Sequence, residues 1–312
     1  MIINKTYLLI LCCFMLFNIS KAQMSYVVNP INDNIHLYEH NDYNMFKKKI
    51  RYQQDTMDNR GLVYGMSVGA FKANAYNAMY YNGATNNENN LRYILSNPYH
   101  YNEIRDQLRR DYDSTAVQPP TSMTYDMSYM IGFFVRYNFK RNLGIFINFN
   151  YSKLNTTGQF ALQTDSFTGT SQKTLLLYPI IGVEQRTYID VGFQKQIAIG
   201  DKANFFYEGG LNFSSTSVKT SEIMIGNLTY SLVNVYLNQP YSQGTQQSTY
   251  NVYQGGVGFG FFAGAGISLI FSSNISVDPG FDIYYQKIGL TGYPDYKLNY
   301  NVYVRFVMRN LF

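Results

Sequence analysis

Few residues in this sequence can carry chemistry. Its 312 residues include three His and two Cys. His36 and His40 stand four apart, a helical spacing, near Asp33, Glu39 and Asp42. A metal site needs three or four ligands in a fixed geometry, and this local pattern matches no zinc motif. The pair therefore reads as solvated histidines. His100 is the one candidate for acid–base work, in a lipid-modifying or proteolytic reaction at a barrel mouth. No GxSxG elbow accompanies it, and spacing cannot choose a Ser or Asp partner because loops converge in space. Cys12 and Cys13 sit inside an apolar run of the leader, so thiolate and disulfide chemistry are excluded from the mature chain. No catalytic residue, metal ligand or cofactor is assigned.

The remaining polar candidates are nine charges that recur on one face of alternating segments: Arg136, Glu184, Arg186, Asp190, Glu208, Asp278, Asp282, Arg305 and Arg309. Four Arg stand against five carboxylates. Buried in a narrow barrel, such groups must pair with one another or with water. A selective pore would carry an excess of one sign, so the near balance favours a polar core that holds the barrel shut. A proton or solute path is the alternative.

The elements that place these charges have period 2. Tyr253 to Phe271, YQGGVGFGFFAGAGISLIF, sets Val257, Phe259, Phe261, Ala263, Ala265, Ile267 and Leu269 against a face of Gly256, Gly258, Gly260, Gly264 and Gly266. Glycine at every second position suits a crowded barrel interior, leaving space for long side chains from opposite strands. Tyr296 to Phe312 sets Leu298, Tyr300, Val302, Val304, Phe306 and Met308 against Asn299, Asn301, Tyr303, Arg305 and Arg309. Apolar-out, polar-in alternation over about 10 residues is the pattern of a membrane strand. Gly61–Phe71, Tyr125–Tyr137, Leu143–Lys153, Ile181–Phe193, Phe205–Phe213 and Ile275–Tyr285 follow the same rule. The count is eight, an even number, as a closed single-chain barrel needs. Tyr64, Tyr125, Tyr137, Tyr151, Tyr253 and Tyr300 fall at strand ends as an interfacial girdle.

Connections alternate in length. Lys140-Arg141-Asn142, Gly200 to Ala203 and Ser272-Ser273-Asn274 are short; Lys72 to Thr124, Leu154 to about Ile180, Ser214 to Thr249 and Lys287 to Asp295 are long. Membrane barrels have short periplasmic turns and long outer loops, which fixes the orientation. In the first long loop, Asn89 to Asn97 and Tyr101 to Tyr112 read as two short helices around Pro98, with Ile104 and Leu108 on one face. Gly226-Asn227 is a turn for an outer hairpin between Ile223–Ile225 and Leu228–Leu237, which leaves ten strands as the alternative count.

Composition agrees. Charged residues are 14% and aromatics 17%, with 31 Tyr, 22 Phe and no Trp, at a mean hydropathy of −0.23. Soluble domains average about 25% charge. After the leader no apolar stretch reaches the roughly 18 residues of a spanning helix. Residues 1–22 read as a secretory signal peptide, with Lys5, an apolar run from Tyr7 to Phe17, and the Ser20-Lys21-Ala22 cleavage site. The net charge of +5, less the two lysines of the leader, is too weak to argue for nucleic acid. The expected organisation is 1–22 signal peptide, 23–60 periplasmic segment and 61–312 barrel, with 72–124 a partly helical outer loop.

A terminal Phe312 with Phe306 and Val304 at alternate positions behind it resembles the C-terminal assembly signal of bacterial outer-membrane barrels, departing from it at Asn310. The mature chain as a whole resembles the small eight-stranded class of those barrels. The Tyr- and Asn-rich composition, the leader ending Lys21-Ala22-Gln23 and Phe312 resemble the Bacteroidota version, and within it the PorT-like family. That resemblance implies outer-membrane lipid and the barrel-assembly machinery as partners, a protein partner at the outer loops, and a non-enzymatic structural or secretion-accessory role in type IX secretion or gliding. A narrow channel or solute-uptake accessory is the runner-up, and a barrel-embedded enzyme using His100 comes third.

Overall fold

The computed structural model describes residues 60–140, 142–165, 173–200, 202–233 and 254–309. The chain divides into two compact units, Met1–Thr56 and Met57–Phe312, and all described residues belong to the second. The expected signal peptide, the 23–59 stretch, His36, His40, Tyr253 and Phe312 lie outside them.

Ten strands form one antiparallel sheet: β1 (Gly61–Lys72), β2 (Tyr112–Gln118), β3 (Ser128–Lys140), β4 (Leu143–Thr164), β5 (Thr174–Ala198), β6 (Ala203–Ile225), β7 (Leu228–Ser231), β8 (Gly255–Ile270), β9 (Ile275–Lys287) and β10 (Lys297–Arg309). β1 pairs with β3 on one side and β10 on the other, so the sheet closes on itself as β1-β3-β4-β5-β6-β8-β9-β10. Eight strands are the staves of a barrel. The other two are short: β2 adds to the upper part of β4 and β7 to the upper part of β6. The eight-strand and ten-strand counts thus describe the barrel and the whole sheet. The Gly226-Asn227 turn is present, with Ile225 opposite Leu228.

Register fixes the shape. A row leaving Lys287 runs through Phe259, Phe213, Ile189, Phe149, Phe133, Met66 and Phe306 and returns to β9 at Val277, ten residues lower. A stagger of ten over eight strands, at about 3.3 Å rise and about 4.8 Å spacing, tilts the strands by about 40°. At that tilt Leu298 to Met308 of β10 covers about 25 Å along the axis, the height of the apolar band of membrane barrels. Outward residues in that band are mainly Val, Ile, Leu, Phe, Tyr and Met, with Ala70, Gly209, Ala263, Ala265 and Pro279 among them and Thr187 and Lys195 toward the edges of β5, and most of the large ones are exposed. Water would penalise such a continuous apolar girdle, and lipid accommodates it.

β4, β5 and β6 run 22, 25 and 23 residues, about twice the expected segments, and rise beyond the band as a wall. Above the band the outward residues of β4 turn polar (Lys153, Asn155, Thr157, Gln159), as do Ser215, Ser217 and Lys219 of β6, whereas β5 keeps Leu175 and Leu177 exposed there. The short connections between staves, at 141–142, 199–202 and 271–274, share one end. The long ones share the other.

Helices fill that loop end. Besides α2 (Arg92–Leu95) and α3 (Pro98–Leu108), an unexpected turn α1 (Ala75–Ala78) continues into a 3-10 turn at Met79–Tyr81. Asn97 caps α3 by accepting the Tyr99 N–H at 3.0 Å, and Pro98 opens its first turn. Ile104 is buried and Leu108 half-buried, the expected shared face. The helix stops earlier than Tyr112 because Arg109 takes a left-handed conformation at φ 55°, and Tyr112 then begins β2.

Two further expectations are corrected. Tyr125 is not a girdle residue: it is 1% exposed and faces the interior. It precedes β3, where it bridges to Thr156, and the chain changes face before Ser128. Nor do the β8 glycines mainly make room for opposite strands. A Cβ on Gly264 would lie 2.0 Å from Asp282 Oδ1, and one on Gly258 2.1 Å from the Lys287 carbonyl. The crowding comes from the adjoining strands.

Candidate functional site

All nine expected interior charges point inward and are buried, from Asp190 at 0% exposure to Arg309 at 6%. Strand alternation dictates this: each lies at even spacing from its neighbours on the polar face. The structure distributes them over layers along the barrel axis.

At the loop end Glu184 is a hub. Its carboxylate accepts hydrogen bonds from Arg186 Nε, from Tyr81 Oη at 2.6 Å and from Tyr125 Oη at 3.1 Å. The Arg186 guanidinium lies 5.2 Å from the Tyr125 ring centre. Tyr81 comes from the 3-10 turn and dips into the barrel mouth. Gly182 admits it, since a Cβ there would sit 2.3 Å from the ring. Burial first, and then the Glu184 charge, holds the Tyr81 phenol well above its ordinary pKa.

The helical cap is tied to the rim elsewhere too. Tyr230 Oη donates to Glu103 at 2.9 Å, Tyr293 Oη to Asn87 Oδ1 at 2.9 Å, and Asn89 and Gln254 exchange amide hydrogen bonds at 2.9 and 2.8 Å. Tyr80, Leu95, Ile104, Tyr112, Ile223 and Leu290 are buried in the cluster beneath. Burial, and then Glu88 beside it, raises the Tyr80 phenol pKa; burial, and then Glu103, does the same for Tyr230.

Below the hub the interior is aromatic. Ring centres run from Phe71 to Tyr188 (5.6 Å), Tyr188 to Tyr284 (6.0 Å), Tyr284 to Phe262 (5.9 Å), Phe262 to Phe146 (5.9 Å) and Phe146 to Phe134 (5.5 Å). Asp190 is held within this layer by Asn150 Nδ2 at 2.8 Å, Asn212 Nδ2 at 2.5 Å and Tyr284 Oη at 3.3 Å. Asp282 accepts from the same Tyr284 hydroxyl at 3.4 Å.

Further down, Arg305 grips Glu208 with both terminal nitrogens, at 2.9 and 3.2 Å. Tyr303 Oη (3.1 Å) and Gln194 Nε2 (2.8 Å) complete that carboxylate, and the Arg305 guanidinium lies 4.0 Å from the Phe134 ring centre. Fork-to-fork geometry with every carboxylate oxygen satisfied is the arrangement in which a buried ion pair is tolerated.

Direct pairing among the charges is partial among the described residues. Arg186 and Arg305 have carboxylate partners. The side-chain nitrogens Nε, Nη1 and Nη2 of Arg136, Nε and Nη2 of Arg309, and both Asp278 oxygens have no hydrogen-bond partner among the described residues. The register explains part of this: Asp278 stands opposite Arg305, whose guanidinium is already committed to Glu208. Arg136 and Arg309 flank Val63 across β1, and as two cations neither neutralises the other.

His100 lies on α3 with its ring 4.7 Å from that of Tyr230 and Nδ1 3.6 Å from Glu103. No nucleophile is brought to it by these contacts. Among the described residues no three His, Cys, Asp or Glu side chains gather as a metal site. Val304 and Phe306 of β10 face outward and are exposed, consistent with their place on the apolar face.

Residues missed in the sequence are the neutral partners of the charges. Parity places Asn150, Asn212 and Tyr303 on the inward faces without naming them as partners, and the same parity extends to Gln194. Tyr81 carried no signal, because its contact with Glu184 spans 103 residues.

No protein-family model and no curated protein matches the sequence. Solved structures similar to the chain are small outer-membrane proteins. Neisserial surface protein A matches at 8% identity and TM-score 0.42, covering 80% of this chain and 96% of its own. OprG from Pseudomonas aeruginosa matches at 7% and 0.35, covering 80% and 97%. Ail, the attachment invasion locus protein of Yersinia pestis, matches at 9% and 0.34, covering 80% and 97%. Identities this low say nothing of activity.

Proposed function

We propose that the chain is a non-conducting outer-membrane barrel that serves as a scaffold, presenting its helical cap and tall β4–β6 wall to a partner. One observation carries this reading: the interior is filled from the loop end to the turn end by buried charged and aromatic side chains, two of the arginines ion-paired, under a cap latched to Glu184. Eight-stranded barrels have an interior just wide enough for side chains, and here the chain uses that space for packing. The apolar girdle supports placement in lipid. The short connections then face the periplasm and the cap faces outward. A cap fixed by hydrogen bonds from three parts of the rim is a preformed surface, which lowers the ordering cost of binding. The composition that resembles PorT-like barrels makes a secretion apparatus the first kind of partner to test. We assign no enzymatic role, since the contacts of His100 with Tyr230 and Glu103 bring no serine, threonine or second histidine to it.

The test is conductance in planar bilayers, run beside heat-modifiability on gels. The purified protein migrates faster before boiling, as a closed barrel does, and adds no steady channel current. A stable open-state current from the wild-type protein would overturn the scaffold reading in favour of a narrow channel. A His100→Ala variant that altered lipid turnover would restore the enzyme reading.

A further inference from the structure

The outer wall above the apolar girdle carries a groove whose origin is in the sequence. Gln118 of β2 pairs with Ala161, and Tyr125 bridges to Thr156. Between those contacts six residues, 119–124, face four, 157–160. Pro119 and Pro120 have no N–H to continue the ladder, so the longer side bows away from the sheet. The space left is about 490 Å³, the size of a small-molecule site. Thr121, Ser122, Thr157 and Gln159 give it hydroxyl and amide groups, and Pro120 and Pro179 give it apolar sides. Its floor is Gly158, closed from behind by buried Met123, whose Cγ would lie 3.2 Å from a Cβ there.

The groove opens sideways, over the bilayer rather than along the barrel axis. Thr157 and Gln159 share the outward face of β4 with Tyr151 and Lys153, all exposed. Tyr151 is the last girdle residue of that strand. Lys153 is its first outward charge, about 13 Å along the strand from Thr157. Its ammonium has no ion-pair partner among the described residues. Tyr129, 80% exposed, stands beside it on β3. The acid Asp126 is close by, its N–H bonded to the Asn155 carbonyl at 2.9 Å. With Asp126 alongside, Lys153 alone makes a poor anion site, and recognition needs the neutral groove as well.

We propose that this wall binds a membrane glycolipid with a phosphorylated sugar headgroup. Its acyl chains lie on the girdle below Tyr151 and Tyr129, its phosphate meets Lys153, and its sugar enters the groove between Thr157–Gln159 and Thr121–Ser122. Sugar hydroxyls match the side-chain hydroxyls and amide, and a lysine is a suitable point charge for phosphate. Tethering in the same bilayer raises the headgroup's effective concentration, which suits a groove this open. The proposal rests on the reading that the barrel sits in lipid.

The test uses the full-length protein in phosphatidylethanolamine vesicles containing a monophosphorylated glucosamine-disaccharide lipid, with native mass spectrometry reading the lipids retained on release. The expected result is retention at least about tenfold better than that of phosphatidylglycerol, which has the phosphate without the sugar. Soluble glucosamine phosphate does not compete at matched concentration. Lys153→Ala and the double variant Thr157→Ala/Gln159→Ala each reduce retention about tenfold, while Lys202→Ala at the turn end does not. Equal retention of phosphatidylglycerol, equal binding of the soluble sugar phosphate, or unchanged retention by the groove variants overturns the site. Insertion is read separately by the heat shift. A protein that fails to insert refutes the bilayer reading, and an inserted barrel without lipid preference refutes only the glycolipid site.

Discussion

Replacing Glu184 by Leu tests the latch directly. The side chain is fully buried, and three donors converge on it: Arg186 Nε, Tyr81 Oη and Tyr125 Oη. Glu184 is the carboxylate paired with Arg186 among the described residues, so Glu184→Leu leaves the guanidinium buried without a counter-charge. Breaking a buried pair in this way costs about 3–5 kcal/mol. The loss falls on the cap, because Tyr81 and Tyr125 enter the mouth from the segment between β1 and β3. At 1.4 kcal/mol per decade the cap's opening equilibrium rises by about 10²–10³ or more. Trypsin reads it, since Arg105 and Arg109 of the cap are exposed, and the cap is cleaved while the barrel keeps its heat shift. Tyr81→Phe removes one hydrogen bond to a charge and loosens the cap by about 1.5–3 kcal/mol. Glu184→Leu/Arg186→Met removes both charges and recovers most of the loss. Cleavage of Glu184→Leu at the wild-type rate would refute the latch.

At the lower ion pair, Arg305→Met strands Glu208 and destabilises the barrel by about 3–5 kcal/mol, whereas Arg305→Met/Glu208→Leu regains most of it; urea midpoints in lipid vesicles decide, and equal losses would remove the pair from the account. Phe133 faces outward near mid-girdle, so Phe133→Arg costs about 2–4 kcal/mol in vesicles, and an unchanged midpoint would take the girdle out of lipid. The cap also has an alkaline limit. Tyr80 and Tyr230 have pKa values raised above the ordinary 10.0 by burial and by the neighbouring Glu88 and Glu103. A neutral form favoured by folding contributes stability that is complete below the unfolded pKa and is lost as pH rises through the raised folded values. Tryptic cleavage of the cap therefore increases above about pH 10, and loosening in acid alone would contradict that sign.

The staves were legible because membrane strands alternate strictly, and parity alone sent all nine charges inward. What parity does not carry is partner choice. Arg305 reaches Glu208 rather than Asp278, its direct neighbour in register, because Tyr303 and Gln194 complete the geometry around Glu208. Tyr125 failed for the opposite reason: its alternation with Met127 and Tyr129 continued in sequence while the backbone left the sheet. The sequence allows strands to continue above the membrane through 154–180 and 214–249, but not how far, because polar outward residues on the upper parts of β4 and β6 look the same in a strand and in a loop. β2 was hidden as a helix end. Its partner strand lies tens of residues away, and no local pattern announces such pairing.

The unequal staves also set an order of assembly. β4 with β5 and β5 with β6 are consecutive hairpins in long register, 22 residues for the first from Leu143–Lys195 to Thr164–Thr174. Each joins strands consecutive in the chain, so the loops to close are far shorter than the seam's and many contacts form early. The seam joins Val63 to Arg309 and Lys72 to Tyr300, across nearly the whole described chain and with the shorter strands. Loop closure of that length brings no reward until both edges are aligned. Folding therefore begins at the tall wall and ends at the seam. Until then β1 and β10 are open edges, able to pair with any chaperoning strand. Val304 and Phe306 lie on one of those edges, so the strand whose sequence resembles an assembly signal also forms one side of the last seam to close.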